Sequence, residues 1–311
     1  MGPAHGDGTP LRSEFVTELS GTTQLTHQAG PPRVAVLGRG LVPAGEPALR
    51  GDDLGVLHGD GLFETMHLWD GRPWLVGEHL ARLTRAASLL GLRLPPATAL
   101  LDLLAAVAVD WPTGVEGALR LVCTRGPEGG GPPTVYATLG EVPQPARRAR
   151  HLGIAVATLP LGVTADGRAG LDWLPAGFKS TSYALSSAAR RWAVAHGVDD
   201  VLWVSTDGYA LEGPTANLVW LEGDTLCTVP PTRTGILPGV TAAWLLAHAH
   251  ELGFTSAERM ISPGDLREAD AAWLTSSVRG VAEIRTLDGI PGHRAFPSPH
   301  TRRLQQLLPH P

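Results

Sequence analysis

The sequence predicts an α+β protein made of two units, each mixing strands with helices. Three observations point there. Apolar runs of strand length alternate with stretches whose apolar residues recur at helical spacing. Turn signals, Asp70-Gly71, Asp207-Gly208 and Gly223-Asp224, separate adjacent strand-like runs. The length, 311 residues, is more than one core of about 100–200 residues needs.

The first unit is expected over 33–145 and the second over 146–311. Residues 1–32 are rich in Gly, Pro, Ser and Thr without apolar period, and read as a disordered tail. Order begins with a strand at Val34–Leu37. A strand over Leu62–Leu68 turns at Asp70-Gly71 into Trp74-Leu75-Val76. A helix then opens at Glu78 and runs to about Leu90, with Leu80, Leu83, Ala87 and Leu90 on one face and Gly91 as its stop. A second helix covers about Ala97–Val109. Strands at Ala118–Cys123 and Thr134–Leu139 flank the glycine-rich loop Gly126–Pro133.

Pro143–Arg150 reads as a linker, followed by a strand near Gly153–Thr158. Ser180 or Thr181 is placed to cap a helix ending at His196-Gly197. Strands follow at Val201–Ser205, Ala216–Leu221 and Leu226–Val229, and a helix from Gly239 to Leu252. Short strands near Ala257–Ile261, Ala271–Thr275 and Ala282–Arg285 come next, and the tail from Pro297 forms a last helix.

Composition excludes several classes. A net charge of −5 gives no electrostatic reason to bind nucleic acid or an anionic membrane. No apolar run approaches the roughly 20 residues that span a bilayer, and the N-terminus lacks the basic-then-apolar order of a secretory signal. A cytoplasmic protein is expected, with Cys123 and Cys227 as buried thiols rather than a disulfide or metal pair. His248 and His250 fall on opposite sides of a helix, so no metal site is expected. Gly38-Arg39-Gly40 lacks the third glycine of a dinucleotide loop.

The 25 Lys and Arg residues include a single lysine, Lys179. Arginine supplies charge but cannot act as an amine nucleophile, whereas lysine can lose its proton and form an imine. One leftover surface lysine is the plain alternative, and the neighbouring blocks decide between the two. Downstream lie a turn with one carboxylate, Leu211-Glu212-Gly213-Pro214-Thr215, and a helix entry at Gly239-Val240-Thr241. A strand end with two hydroxyls, Ser276-Ser277, completes the set. Arg82, on the helix after Glu78, adds a fixed charge. An amine, an acid, free helix N–H groups and hydroxyls are what pyridoxal 5'-phosphate requires.

The order and spacing of these blocks resemble the class IV (fold-type IV) pyridoxal-phosphate enzymes. That group holds branched-chain and D-amino-acid aminotransferases and aminodeoxychorismate lyases. The resemblance covers about residues 34–290 and includes Gly59-Asp60-Gly61-Leu62-Phe63-Glu64-Thr65 and Glu78-His79-Leu80-Ala81-Arg82-Leu83. It implies a two-domain fold, a smaller N-terminal and a larger C-terminal part, and a homodimer. Lys179 would carry the imine and the proton, and Glu212 would pair with the pyridinium nitrogen. Arg82, Val240, Thr241 and Ser277 would hold the phosphate, Ser276 would also belong to the cofactor site, Leu237 would pack on the ring, and Tyr183 would stand near the phenolic oxygen. Ser182 departs from the Asn that some relatives carry there.

In detail the blocks look most like actinobacterial-type aminodeoxychorismate lyases, which convert 4-amino-4-deoxychorismate to 4-aminobenzoate and pyruvate for folate synthesis. The alternative is an aminotransferase of D-amino or branched-chain amino acids. The loop Gly126–Pro133 lacks the Arg-x-His pair of D-specific enzymes, which leaves Arg120 and Arg125 as candidate carboxylate ligands.

Overall fold

In the computed structural model the described residues are 32–309, apart from 172, 175 and 293–295. The tail expected over residues 1–32 therefore lies outside them, save Pro32. The described residues pack as one compact unit around two sheets. Among the described residues no helix is long and apolar enough to cross a membrane.

The first sheet is wholly antiparallel. Its strands are β1 (Arg33–Val36), β2 (Gly40–Val42), β3 (Gly61–Trp69), β4 (Arg72–Pro73), β5 (Gly117–Thr124) and β6 (Val135–Glu141), in the order β2-β1-β6-β5-β3-β4. Side chains alternate across a strand, and here the alternation divides two tasks. Leu62, Met66, Leu119, Leu121, Ala137 and Leu139 are buried against helices α2 (Val76–Leu89) and α3 (Ala97–Ala108). The intervening residues, among them Phe63, Thr65, Arg120, Val122, Tyr136 and Thr138, line a cavity on the opposite face. The short helix α1 (Leu54–Leu57) precedes β3 and is capped by the Asp53 carboxylate, which accepts from the Gly55 N–H.

After α4 (Gln144–Leu152) the chain builds a nine-stranded mixed sheet. Its strands are β7 (Ile154–Pro160), β8 (Asp200–Val204), β9 (Glu212–Gly213), β10 (Ala216–Glu222), β11 (Thr225–Thr228), β12 (Thr255–Glu258), β13 (Ala271–Ser276), β14 (Gly280–Leu287) and β15 (Ile290–Pro291). The main order is β12-β11-β10-β13-β14-β7-β8. Parallel pairs join β7 to β8, β14 to β7 and β11 to β12. One face buries Leu202, Leu211, Leu218 and Trp220 with α5 (Ala184–Ala195). The other buries Val219, Trp273 and Val281 with α7 (Val240–Ala247). The helices α6 (Pro231–Thr234), α8 (Pro263–Glu268) and α9 (Pro299–Gln305) complete this half.

Four expectations are corrected. Pro143–Arg150 is not a linker: Pro143 sits at the N-cap of α4, whose Ala149 and Arg150 are buried. Trp74-Leu75-Val76 is not a strand. Pro73 has no N–H for the ladder, Leu75 turns with φ 51, and the amphipathic face of α2 begins at Val76. Neither Ser180 nor Thr181 caps α5, which starts at Ala184, because both are drawn onto the edge of β3. The helix entered at Gly239 ends at Ala247 and gives way to one 3-10 turn, Ala249–Leu252. Cys123 and Cys227 are free and buried, and burial raises their thiol pKa values to about 12 and about 11.

Leu121, fully buried at the centre of β5, tests the first core. Leu121→Ala should cost about 2–5 kcal/mol, read as a lower urea midpoint at unchanged slope. A midpoint equal to the parent protein's would contradict the packing.

Candidate active site

A cavity of about 700 Å³ opens between the two sheets, and Lys179 lies in its wall. Local structure explains that position. Lys179 is the last residue before the chain crosses β3: its carbonyl accepts from the Phe63 N–H at 2.8 Å, and Ser180 bridges Leu62. The Gly59-Asp60-Gly61 turn holds the next residues. Thr181 Oγ1 donates to the Gly59 carbonyl at 2.7 Å, Ser182 Oγ donates to it at 3.0 Å, and the Thr181 N–H bonds the Gly61 carbonyl. Gly59 has φ +67, and a β-carbon there would lie 2.7 Å from Ser182 Oγ, so the motif works because it has no side chain to keep the lysine segment away.

The Lys179 ammonium stands 4.6 Å from the Phe63 ring centroid, and Nζ donates to Tyr183 Oη at 3.4 Å. Tyr183 packs edge-on against Phe63. Burial, helped by the positive charges of Arg82 and Arg120, lowers the Lys179 pKa from 10.5 to about 8. Glu212, on β9, is shifted the other way. Burial raises its carboxyl from 4.5 to about 7, against the pull of Arg168, the Leu237 N–H, Lys179 and Arg82. Its Oε2 accepts from the Leu237 N–H at 3.2 Å, so Leu237 is fixed between Glu212 and the cavity that it lines.

The other predicted residues gather at one end of the cavity. Val240 and Thr241 are the first two residues of α7, whose N-cap, Gly239, supplies no side chain; their N–H groups have no intrahelical acceptor. Gly239 is required by close approach: a β-carbon there would fall 1.8 Å from Asn217 Oδ1. Asn217 in turn donates from Nδ2 to the Leu237 carbonyl at 2.7 Å. Ser276 ends β13, and its hydroxyl accepts from the Arg279 N–H at 3.4 Å. The Ser277 hydroxyl lies 3.3 Å from Thr241 Oγ1.

Arg82 reaches the same end through a network that the sequence reading missed. Its Nε and Nη2 donate to the two oxygens of Glu64 at 2.8 and 2.5 Å, and Nη1 donates to the Pro238 carbonyl at 2.9 Å. His79 Nδ1 bonds Glu64 Oε2 at 2.7 Å, and its Nε2 lies 3.1 Å from Ser277 Oγ. Burial would raise the Glu64 carboxyl, but the bonds and charges of Arg82 and His79 outweigh it and hold the pKa at about 2. One sequence signal pointed to this network. Glu64 is a carboxylate on the core-facing side of an apolar strand, and such a group must have partners.

The two candidate carboxylate ligands part company. Arg120 lines the cavity, 5.3 Å from the Phe63 ring, with Nε donating to Thr65 Oγ1 at 3.4 Å. Arg125 is committed elsewhere, donating to both Asp60 oxygens and to the Leu90 and Gly91 carbonyls.

Among the described residues, the charged side chains that line the cavity are all cationic: Arg82, Arg120, Lys179, Arg190 and Arg279. An amine of lowered pKa, a buried carboxyl and a helix N-terminus with free N–H groups are the set that a lysine-centred cofactor enzyme needs. The chain belongs to the family described as amino-transferase class IV, whose profile matches residues 61–287, and it has the fold-type IV architecture. The family's cofactor is pyridoxal 5'-phosphate.

Among curated relatives, the bifunctional aminodeoxychorismate lyase / D-amino acid transaminase of Mycobacterium tuberculosis is 38% identical over 264 residues, 82% of this chain and 91% of the relative. The D-alanine aminotransferase of Bacillus licheniformis is 26% identical over 275 residues, 86% of this chain and 93% of that one. Among solved structures, the PLP-bound form of a hypothetical aminotransferase from Mycobacterium tuberculosis superposes with TM-score 0.84 at 38% identity, covering 88% of this chain and 96% of that one. A fold IV transaminase from Curtobacterium pusillum gives 0.82 at 37% identity, with the same coverage.

Glu64 carries a pH signature. Its folded pKa of about 2 lies below the ordinary 4.5, so its stabilisation is full above pH 4.5 and is lost as pH falls towards 2. Glu64→Gln should reduce stability at neutral pH and flatten this part of the acid limb. Urea midpoints from about pH 3 to about pH 7 measure it; an acid limb equally steep in both proteins would refute the assignment.

Proposed function

We propose that the protein is a pyridoxal-phosphate-dependent aminodeoxychorismate lyase, converting 4-amino-4-deoxychorismate to 4-aminobenzoate and pyruvate. The observation that carries this reading is that the charged side chains lining the cavity around Lys179 are cationic, which suits a substrate with two carboxylates. The aminodeoxychorismate lyase activity of the Mycobacterium tuberculosis relative supports it.

The donor set fits the cofactor. Arginine has five N–H groups; Glu64 and Pro238 take three from Arg82, leaving one on each terminal nitrogen for a phosphate. The Val240 and Thr241 N–H groups and the Thr241 and Ser277 hydroxyls complete that cradle. Glu212 would face the pyridinium nitrogen: its carboxyl is costly to ionise alone and becomes ionised beside a cation. When bound, the cofactor withdraws electrons from the carbon that bears the substrate nitrogen.

Lys179 Nζ takes the proton from that carbon and returns one to the departing enolpyruvyl group, and Tyr183 Oη orients the amine. Arg120 holds a substrate carboxylate, with the Thr65 hydroxyl keeping its guanidinium in place. Aromatisation of the ring drives the elimination. Phe63 and Leu237 exclude water from the amine and from the ring. The active assembly is read as a homodimer in the cytoplasm.

A second reading, transamination of D-amino or branched-chain amino acids, is favoured by the D-amino acid transaminase activity of the same relative and by the 28% identity to a putative branched-chain-amino-acid aminotransferase of Methanocaldococcus jannaschii. Purified protein is given 4-amino-4-deoxychorismate, and separately D-alanine or branched-chain amino acids with 2-oxoglutarate. Pyruvate plus 4-aminobenzoate supports the lyase; keto-acid exchange without aromatic product overturns it. Lys179→Arg should lose turnover and any borohydride-sensitive visible band, whereas Glu212→Gln should lower turnover strongly yet retain cofactor. Turnover surviving in Lys179→Arg would remove the amine from the mechanism.

Attack on an aldehyde needs a neutral amine. With its pKa lowered from 10.5 to about 8, Lys179 becomes mostly neutral above that pH. The rate at which cofactor-free protein takes up pyridoxal 5'-phosphate should therefore rise with pH and level off near the Lys179 pKa. A rate still climbing steeply at about pH 10 would place the amine in bulk water.

A further inference from the structure

The turn between β13 and β14, residues 277–279, carries the Ser277 hydroxyl, yet the backbone behind it is held by residues with no part in the chemistry. Arg150, in the last turn of α4, donates from Nη2 to the Val278 carbonyl at 2.7 Å and from Nε to the Arg279 carbonyl at 3.0 Å. Its remaining terminal nitrogen, Nη1, pairs with Glu116 Oε2 at 2.7 Å, and His67 Nε2 bonds the same oxygen at 2.8 Å. All three side chains are buried: Arg150 is 5% exposed, Glu116 6% and His67 0%. On the other side of the turn, Arg279 pairs with the buried Asp200 at 2.7 Å.

A guanidinium is a rigid planar fork, so three bonds in different directions fix both its orientation and that of the two carbonyls it grips. Stability is weak grounds for burying such a group, since an apolar replacement often serves as well. The geometry has another consequence. Two successive carbonyls tied down leave the Ser277 Cα little freedom, and its hydroxyl is held between Thr241 Oγ1 at 3.3 Å and His79 Nε2 at 3.1 Å. The anchor itself comes from the first sheet: His67 is on β3, and Glu116 immediately precedes β5.

We propose that Arg150 is a positioning residue for the phosphate end of the cofactor site, clamping the 277–279 turn so that Ser277 meets the α7 N-terminus, with Glu116 and His67 orienting the clamp from the first sheet. The proposal rests on the reading that Ser277, Thr241 and the α7 N–H groups hold the phosphate. A loose turn displaces one hydroxyl of that cradle and leaves the Lys179 and Glu212 end intact. The defect is thus specific for the phosphate group.

Cofactor-free full-length protein is titrated with pyridoxal 5'-phosphate and, separately, with pyridoxal, following the visible absorbance. Arg150→Met should weaken pyridoxal 5'-phosphate binding by about tenfold and change pyridoxal binding by less than about twofold. Arg150→Lys, which keeps the charge beside Glu116 but loses the fork, should fall between them, and Glu116→Gln should follow Arg150→Met at smaller amplitude. If Arg150→Met does not fold, Arg150→Lys carries the same ratio test. Equal losses for both ligands, or no loss, in a folded Arg150 variant overturn the clamp. Ser277→Ala serves as the separate control. If it too leaves the ratio unchanged, the phosphate assignment fails; if it alone shifts the ratio, only the clamp fails.

Discussion

The buried carboxylate of Glu64 is the interaction on which the rest depends. It sits on the core-facing side of β3, where an unpaired charge would be prohibitive. It survives because Arg82 and His79, three residues apart on one face of α2, supply donors to both of its oxygens. Those two side chains then look outward from the first sheet. Arg82 reaches the Pro238 carbonyl and His79 reaches Ser277. One desolvated charge therefore fixes α2 on its sheet and joins that sheet to Pro238 and Ser277 of the other half.

A division of labour along single strands makes this possible. In β3, β5 and β6 one set of alternating residues fills the core under α2 and α3, while the other set forms the cavity wall. Cavity-facing residues such as Arg120 and Thr65 can therefore vary without disturbing the residues that hold the fold. The Lys179 end of the cavity obeys a different logic. Lys179 and Glu212 are pushed towards their neutral forms by burial, which leaves each responsive to a charged partner.

Much of the fold was legible from periodicity. The spans of β3, β5, β10, β13, α2 and α3 agree with the apolar patterns to within a few residues, because in each the buried face dominates the energy. The misses have local causes. PQPARRAR is rich in proline and arginine and suggests a solvated connector, yet Pro143 and Pro145 favour a helix start and Arg150 is buried by partners over a hundred residues away. Ser180 and Thr181 have capping chemistry, but Ser180 bridges Leu62 of β3 and Thr181 bonds the Gly59 and Gly61 carbonyls instead.

The chemical inventory is legible in residue type and order: one lysine amine, an acid in a turn, a glycine-led helix entry, and the ordered blocks that mark the family. Those are properties of residue type and spacing, which survive without coordinates. Tertiary structure alone decided which cations face the cavity and which are spent elsewhere. Arg120 and Arg125 lie in the same β5 region, yet one lines the cavity and the other is bound to Asp60. It also decided that Glu64, His79 and Arg150 support the site, because a buried charge is placed by its partners, and those partners are distant in the chain.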